Sequence, residues 1–400
     1  MRIMFVTPAI RWPLQSGGDI RQWHTLRALQ ECSELDVIVF QPSNVPLPED
    51  LYSHCRNVFT LDGDLLRFSA GYSRQYSSTV GRYQLALGRL KPFEFLGSVD
   101  QQQRRWFSEL VEREKYQAVW ISKAATAMCL GWHDPRKTVL DGDDFDSVRE
   151  YFLLRNSPWY GAKAANYLNV IKLKAWEYYL PSRFAYLARC SEADRRRVPR
   201  HNVVVIPNGT EIPASAPSKE FYGPPRVLFV GSLGYQPNAQ GLDWFLQLVW
   251  PLIRQDCPEA TLDIVGGGAD PATYNAYSQH GVRAHGFVED LQPFWQSASV
   301  SIAPLLAGGG TRLKIIESLA QMTPVVTTTI GAYGLDLTRD QGVFCENSPV
   351  KYAEQVSRLL TNREHAEART RVGFTEVSDK YDWDSIRRKM QELVKKVAAH

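Results

Sequence analysis

The sequence has no long apolar run, no paired cysteine motif and no large excess of charge of either sign. No stretch approaches the roughly 20 consecutive apolar residues that a helix needs to span a bilayer. The six cysteines lie far apart and form no C-x-x-C pair, so we expect free thiols in a reducing cytosol rather than a zinc or redox site. With a net charge of +3 over 400 residues, the chain is not expected to bind nucleic acid. We therefore expect a cytoplasmic protein, either soluble or bound at the inner face of the membrane.

Sequence motifs of cofactor and metal sites are also missing. The N-terminus, MRIMFVTPAI, lacks the layout of a signal peptide. The full G-x-G-x-x-G fingerprint is absent after the first apolar run, so no dinucleotide cofactor is expected. No spacing of His, Cys and Asp suggests a metal site, and we expect no bound metal ion.

Short β-branched runs alternate with helical segments along the chain, which is the pattern of a parallel sheet with helices on both faces. In the first half these runs are Arg2–Pro8, Asp36–Pro42, Val58–Asp62, Ala118–Ser122, Lys137–Asp141, Phe184–Cys190 and Asn202–Pro207. After a linker rich in Pro, Gly and Ser, Pro207–Pro225, the pattern restarts with Arg226–Ser232, Ala260–Val265, Val282–Val288, Val300–Pro304, Pro324–Thr328 and Gly342–Glu346. We predict two successive doubly wound α/β domains, with a ligand in the cleft between their facing strand ends.

The stretch Ala303–Thr329 combines the features of an anion site. It reads as a strand end, three glycines, a helix with one acid inside it and a second strand. Glycines let the backbone approach a ligand, and the start of the helix offers unpaired N–H groups to an anion. Arg312 and Lys314 lie in the predicted first turn, where the helix dipole disfavours cations unless an anion is bound. This combination suits a diphosphate, although a bare tight turn also uses glycines.

Acids follow a predicted strand in the first half of the chain. Asp141 and Asp143 lie directly after the run Lys137–Asp141, where the crevice of an open α/β sheet is found. Such carboxylates either orient hydroxyls and act as a base, or cap the helix that begins near Ser147. Gly17 and Gly18 have two similar interpretations, as a site of close approach by a substrate or as a tight strand-to-helix turn.

A basic and aromatic region covers residues 65–105. It is either an acceptor-binding or membrane-facing insertion, or an ordinary pair of amphipathic surface helices. Composition alone does not separate these alternatives.

Several motifs, weak singly and specific together, resemble one known family. They are the glycine pair that ends Pro8–Gly18, CSEAD at Cys190–Asp194, IPNG at Ile206–Gly209, FVGSLGYQPNAQGLDWF at Phe229–Phe245 and GGGTRLKIIESLAQMTPVV from Gly308 onward. The chain is similar to family-4-type glycosyltransferases of the GT-B fold, which are retaining enzymes that use nucleotide sugars. The resemblance covers nearly the whole chain.

The resemblance implies a domain plan and a set of partners. It implies a Rossmann-like acceptor-binding domain at 1–208, a Rossmann-like domain for the nucleotide sugar at 209–380, and a helix at 381–400 that crosses back to the first domain. The implied partners are a nucleotide-sugar donor and a glycan, lipid-linked or small-molecule acceptor. The family needs no catalytic divalent ion.

The resemblance also implies roles for individual residues. Glu317 matches the acid that binds the ribose hydroxyls, and the end of the predicted strand at Val288 matches the segment whose backbone reads the base. Gly17 and Gly18 match the loop that meets the phosphate and the acceptor side. The loop expected to face the diphosphate consists of Gly308, Gly309, Gly310, Thr311, Arg312 and Leu313.

Three positions depart from the family pattern. Family members usually carry a second acid eight residues before the one at Glu317, and here that position is Gly309. An Arg and a Lys-Gly pair usually follow the first strand of the second domain, where this chain has Ser232 and Gln240-Gly241. Developing charge on the leaving diphosphate still needs cations, and Arg312 and Lys314 are our candidates.

A third departure follows the strand Lys137–Asp141, where many members place a histidine near the reacting carbon. Asp141 and Asp143 stand there instead. Two alternative functions remain open from the sequence: a sugar-nucleotide epimerase of the same fold, and a non-catalytic sugar-nucleotide-binding protein.

Overall fold

The computed structural model describes residues 1–8, 10, 14, 16–41, 47–61, 76–97, 99–219, 223–308 and 311–399. The chain divides into two compact units. One unit comprises Met1–Pro207 with Ile386–His400, and the other comprises Asn208–Ser385. The predicted domains, 1–208 for the acceptor, 209–380 for the nucleotide sugar and the helix at 381–400, stay predictions.

The first unit contains a seven-stranded parallel sheet. Its strands are β1 (Arg2–Pro8), β2 (Glu34–Phe40), β3 (Asn57–Leu61), β4 (Ala118–Ser122), β5 (Thr138–Asp141), β6 (Tyr186–Arg189) and β7 (Val203–Val205), in the order β3-β2-β1-β4-β5-β6-β7. Its helices are Gly17–Gln30, Glu49–His54, Thr79–Gly88, Gln101–Glu114, Ala124–Leu130, Asp146–Asn156, Lys163–Tyr179 and Glu192–Arg197. The central strands are buried on both faces because helices cover both, which explains their continuous apolar runs.

The second unit contains a six-stranded parallel sheet. Its strands are β8 (Arg226–Val230), β9 (Thr261–Val265), β10 (Val282–Gly286), β11 (Val300–Ala303), β12 (Val325–Thr327) and β13 (Val343–Cys345), in the order β10-β9-β8-β11-β12-β13. Its helices are Gln236–Trp244, Trp250–Asp256, Gln292–Ser297, Leu313–Ala320, Pro349–Thr361 and Arg363–Tyr381. The last helix of the chain, Trp383–Ala398, begins in this unit, and its residues from 386 onward belong to the first unit.

Both sheets have the strand order of a doubly wound fold, in which the chain turns back at the central strand. All thirteen predicted strands are present, and their ends agree or differ by one or two residues. One difference concerns a candidate site residue: the strand expected to end at Val288 ends at Gly286, because a positive φ of 67° at Gly286 breaks the extended backbone.

Two expectations from composition can be compared with the described part of the chain. All six cysteines are free thiols. None of the helices described is long and apolar enough to cross a membrane. In the basic and aromatic region 65–105, residues 65–75 and residue 98 lie outside the described residues.

Candidate functional site

Two glycine loops meet at the ends of adjacent strands in the second unit. The loop after β8 starts at Gly231 and the loop after β9 starts at Gly266. A Cβ at Gly266 would lie 2.1 Å from the carbonyl oxygen of Gly231, and φ there is 148°. The N–H of Leu233 donates to the carbonyl of Gly267 at 2.7 Å. Glycine is required at residue 266 because the two loop backbones are in contact there. The two loops together present backbone groups at this edge of the sheet.

The helix Leu313–Ala320 places Lys314 beside these two glycine loops. The sheet order places β11, which precedes this helix, beside β8. Lys314 Nζ donates to Asn238 Oδ1 at 2.8 Å and lies 4.6 Å from the ring centroid of Phe229. A Cβ at Gly231 would be 2.7 Å from the same Nζ. Lys314 therefore puts its amine at the loop that holds Ser232, where the family pattern has an arginine.

Burial lowers the pKa of the Lys314 amine. Loss of solvent and the nearby Arg312 guanidinium lower the pKa of Lys314 to about 7, and the Glu317 carboxylate opposes the shift. An amine with this pKa changes its charge when an anion arrives, because the anion stabilises the protonated form.

Arg312 precedes the same helix at its N-cap position, not in its first turn as expected from the sequence. Its side chain is buried and folds back over the glycine loop. A Cβ at Gly308 would lie 3.1 Å from Arg312 Nη2 and 3.5 Å from the Tyr235 hydroxyl. Gly308 has a φ of 126°, so the loop needs glycine at this residue. Gly309 and Gly310 lie outside the described residues.

Glu317 lies one turn after Lys314 on the same face of the helix. It is half-buried, and loss of solvent raises the pKa of its carboxyl while Lys314 lowers it. A carboxylate beside a cation can accept hydrogen bonds from hydroxyl groups without losing its charge.

The remaining candidate residues of the second unit are Thr311, Leu313, Ser232 and Val288. Thr311 is buried beside Arg312, and Leu313 is half-buried against the core around Ile315. Ser232 is half-buried, and its carbonyl accepts from Asn238 Nδ2 at 2.8 Å. Val288 packs beside Leu228 and Trp295, two residues beyond the end of β10.

In the first unit, Asp141 is engaged by a buried arginine. Arg21 donates from Nη2 to Asp141 Oδ1 at 2.8 Å and from Nε to Oδ2 at 2.9 Å. Both side chains are almost fully buried. Arg21 Nη1 also donates to the carbonyl oxygens of Ile206 and Pro207. Because its carboxylate is occupied on both oxygens, Asp141 is better suited to holding this sheet edge together than to accepting a proton.

Asp143 is paired with a different cation. Lys123 Nζ donates to Asp143 Oδ2 at 2.9 Å, and Asp143 adopts a positive φ of 52°. The helix that follows these acids has Phe145 at its N-cap position. The helix Asp146–Asn156 has no side-chain cap, and the N–H of Ser147 donates to Glu177 at 3.0 Å instead.

Gly17 and Gly18 form the start of the helix Gly17–Gln30, which Ser16 caps through the N–H of Asp19 at 3.2 Å. A Cβ at Gly18 would meet only the Ser16 hydroxyl, at 3.7 Å. No close contact within the described residues demands glycine there.

Sequence reasoning missed Arg21 and Lys123, which hold these two acids, and Arg189, which holds the backbone of the same loop. Arg189 Nη1 donates to the carbonyl of Asp144 at 2.7 Å, and its guanidinium stacks on the Phe145 ring. The one available signal was the position of Arg21, a turn after Gly17 on a helix that must face the sheet. In the described ranges no group of three His, Cys, Asp or Glu side chains could hold a metal ion.

Residues 224–362 match the family model described as Glycosyl transferases group 1. A Klebsiella pneumoniae protein, described as an uncharacterized 44.6 kDa protein in the cps region, is 27% identical over 165 residues. This match covers 39% of the present chain and 42% of that protein, so it spans less than half the length of the relative.

Solved structures match over nearly the whole length. Sucrose-phosphate synthase from Thermosynechococcus elongatus has a TM-score of 0.71 at 15% identity, covering 100% of this chain and 99% of that chain. HepE from Anabaena, solved in complex with UDP and glucose, has a TM-score of 0.63 at 13% identity. This match covers 98% of this chain and 99% of that chain. A glycosyltransferase from Rickettsia africae has a TM-score of 0.62 at 13% identity, and the match covers 99% of this chain and 98% of that chain.

The two parallel sheets and these structural matches define the fold as GT-B, the fold of a large group of glycosyltransferases. Within it, residues 224–362 are the part that matches the group 1 glycosyltransferase model. The predicted fold and the resemblance to GT-B glycosyltransferases are confirmed, whereas the family-4 and retaining details stay predictions.

Proposed function

We propose that this chain is a cytoplasmic glycosyltransferase that moves a sugar from a nucleoside-diphosphate sugar to an acceptor hydroxyl on a glycan, a lipid-linked molecule or a small molecule. The observation that carries the proposal is the position of Lys314. Its amine lies beside Gly231, at the sheet edge where the group 1 domain begins its glycine loops. The UDP and glucose held by the HepE structure belong to that protein, and they support the same ligand class here.

The donor site is assigned to the second unit. Glu317 accepts hydrogen bonds from the ribose hydroxyls, and the backbone near Val288 contacts the base. The N–H groups of Thr311, Arg312 and Leu313, at the start of the helix, face the diphosphate. This arrangement uses the dipole of the helix and the backbone N–H groups at its start for the anionic part of the donor.

Two cations stabilise the leaving diphosphate. Lys314 takes up a proton as the donor binds, because the diphosphate raises the pKa that burial has lowered. The Arg312 guanidinium, which lies over Gly308, supplies the second positive charge. Together they replace the cations that the family pattern has near Ser232 and Gln240, and they act most strongly as charge develops on the leaving oxygen.

On the acceptor side, Asp143 is the better candidate for contact with the attacking hydroxyl, because Arg21 occupies Asp141. The start of the helix at Gly17 and Gly18 is proposed to admit a substrate, since among the described residues a Cβ at Gly18 would meet only the Ser16 hydroxyl. We propose attack on the face that the diphosphate leaves, with retention at the anomeric carbon and with no metal ion or other cofactor.

The proposal is tested by measuring release of nucleoside diphosphate from UDP-, GDP-, ADP- and dTDP-sugars with a panel of acceptors. We expect one donor to be turned over with formation of a glycosylated acceptor. Lys314→Met should lower the rate, and Lys351→Met, at an exposed lysine of the same unit, should not. Formation of an epimer from the donor alone, or no turnover of any donor, would contradict the proposal.

A further inference from the structure

The described part of the first unit exposes an unusual amount of apolar side chain between residues 80 and 179. Ten of the sixteen large exposed apolar side chains in the described residues lie in this span. The most exposed are Leu90 at 89%, Leu87 at 74% and Trp159 at 73%. Single exposed apolar residues are normal, but a concentration of them marks an interaction surface.

One stripe of the helix Lys163–Tyr179 is apolar and exposed. Leu168, Ile171, Ala175 and Tyr178 follow one another at alternating spacings of three and four residues, so they share one face of the helix. The opposite face is buried in the unit, with Leu173 fully enclosed. A helix face toward solvent is normally polar. Within the described residues, the Arg200 guanidinium lies 5.1 Å from the ring centroid of Tyr178, at one end of this otherwise exposed stripe.

The helix Thr79–Gly88 lies beside this stripe. Lys172 Nζ donates to the carbonyl of Leu85 at 3.3 Å, and Trp176 Nε1 donates to the carbonyl of Leu90 at 3.3 Å. These contacts place Leu87 and Leu90 next to the second half of the longer helix. We call the surface formed by Leu87, Leu90, Leu168, Ile171 and Tyr178 the apolar face.

The charges around the apolar face are almost all positive. Residues 76–97 and 151–183 hold eight Lys and Arg against two Glu. Neither glutamate is exposed: Glu177 is buried, and Glu94 is half-buried and accepts from Asn169 at 3.1 Å. Lys91, Arg155 and Lys174 are exposed. The nearest acids on the preceding helix, Asp146 and Glu150, are both paired with Arg149.

The combination of exposed apolar side chains and positive charge helps to decide between a protein partner and a lipid surface. Protein interfaces are depleted in lysine at their centre, whereas Lys174 lies on the exposed side of the helix Lys163–Tyr179, between Ile171 and Tyr178 in sequence. An anionic bilayer attracts lysine and arginine near its surface, and tryptophan and tyrosine settle at the level of the headgroups. We propose that the apolar face binds an anionic lipid surface. The proposal is independent of the transfer reaction, because vesicle binding is measured without a donor.

The test is co-sedimentation of the full chain with phosphatidylcholine vesicles that contain about one-third phosphatidylglycerol, compared with pure phosphatidylcholine. We expect binding to the anionic vesicles, weaker binding to the neutral ones, and loss of binding as salt is raised. Lys174→Glu should weaken the affinity at least about fivefold. The double variant Leu168→Gln with Ile171→Gln should weaken it at least about tenfold.

Matched controls come from the second unit. Leu248→Gln removes an equally exposed leucine, and Lys351→Glu reverses an exposed lysine, so neither should change vesicle binding. Thermal unfolding of each variant checks that it folds. Equal binding of the apolar-face and control variants would overturn the proposal. So would a wild-type chain that ignores anionic vesicles but forms a dimer that Ile171→Gln dissociates, because the face would then be an interface between copies.

Discussion

Lys314 offers the sharpest test of the proposal that this chain holds a diphosphate. Methionine at this position keeps the length of the side chain and its contact with the Phe229 ring but removes the charge and the hydrogen bond to Asn238. A hydrogen bond to a charged group is worth about 1.5–3 kcal/mol. We therefore expect Lys314→Met to lower kcat/KM about 10- to 150-fold. The effect should be larger on kcat than on donor affinity, because charge on the leaving oxygen grows toward the transition state.

The pH dependence of nucleotide binding follows from the pKa of about 7. Below pH 7 Lys314 is already protonated, so binding a diphosphate takes up no proton at this group. Above pH 7 the free protein has lost that proton, and binding must recover it, so affinity falls with rising pH by up to about tenfold per unit. Calorimetric titration with UDP or the preferred nucleotide between pH 6 and about 9 measures this slope.

The variant Lys314→Met is the control for ionisation of the nucleotide itself, because only the contribution of the lysine is lost. We expect the wild-type slope above pH 7 to be absent in the variant. Parallel curves for the two proteins, with affinities that differ by less than about twofold, would refute the assignment of Lys314 to the diphosphate.

Three further predictions concern the architecture of the two units. Asp141→Asn leaves the Arg21 charge buried and uncompensated, so it should lower the free energy of unfolding by about 3–5 kcal/mol in urea titrations, and the pair Arg21→Met with Asp141→Leu should recover most of it. An unchanged midpoint for Asp141→Asn would show that the pair is not formed. Gly266→Ala should destabilise the second unit by at least about 1–3 kcal/mol, because its Cβ meets the Gly231 carbonyl. Gly223→Ala should cost less, because no atom of the described residues lies within 4 Å of its Cβ. Asp143→Asn should reduce turnover while leaving nucleotide affinity unchanged, and a change confined to affinity would place Asp143 elsewhere than beside the acceptor.

Much of the fold was predictable because the signal for a buried parallel strand is local. A run such as Val227 to Val230 between polar turns needs no knowledge of distant residues. The position of Lys314 was predictable to the same extent, since a doubly wound sheet places β11 beside β8 and so brings the helix after one strand to the loop after the other.

The ion pairs of the first unit were not predictable in this way. Arg21 and Asp141 are 120 residues apart, and nothing in the neighbourhood of either residue indicates the other. An acid after a strand has the same local sequence whether it is open to a substrate or occupied by a cation. The register of the strands and the packing of the first helix decide between the two, and only the structure supplies them.

Binding of nucleoside diphosphates by Glu317→Ala tests the central claim most directly, because the proposed donor site depends on recognition of the ribose by this acid. Thermal shifts with UDP, GDP, ADP and dTDP first identify the preferred nucleotide through its stabilisation of the fold. We predict that Glu317→Ala then weakens the affinity for that nucleotide at least about tenfold, or about 1.4 kcal/mol, without lowering the melting temperature of the free protein. An unchanged dissociation constant, or a wild-type protein that binds none of the four nucleotides, would contradict the account.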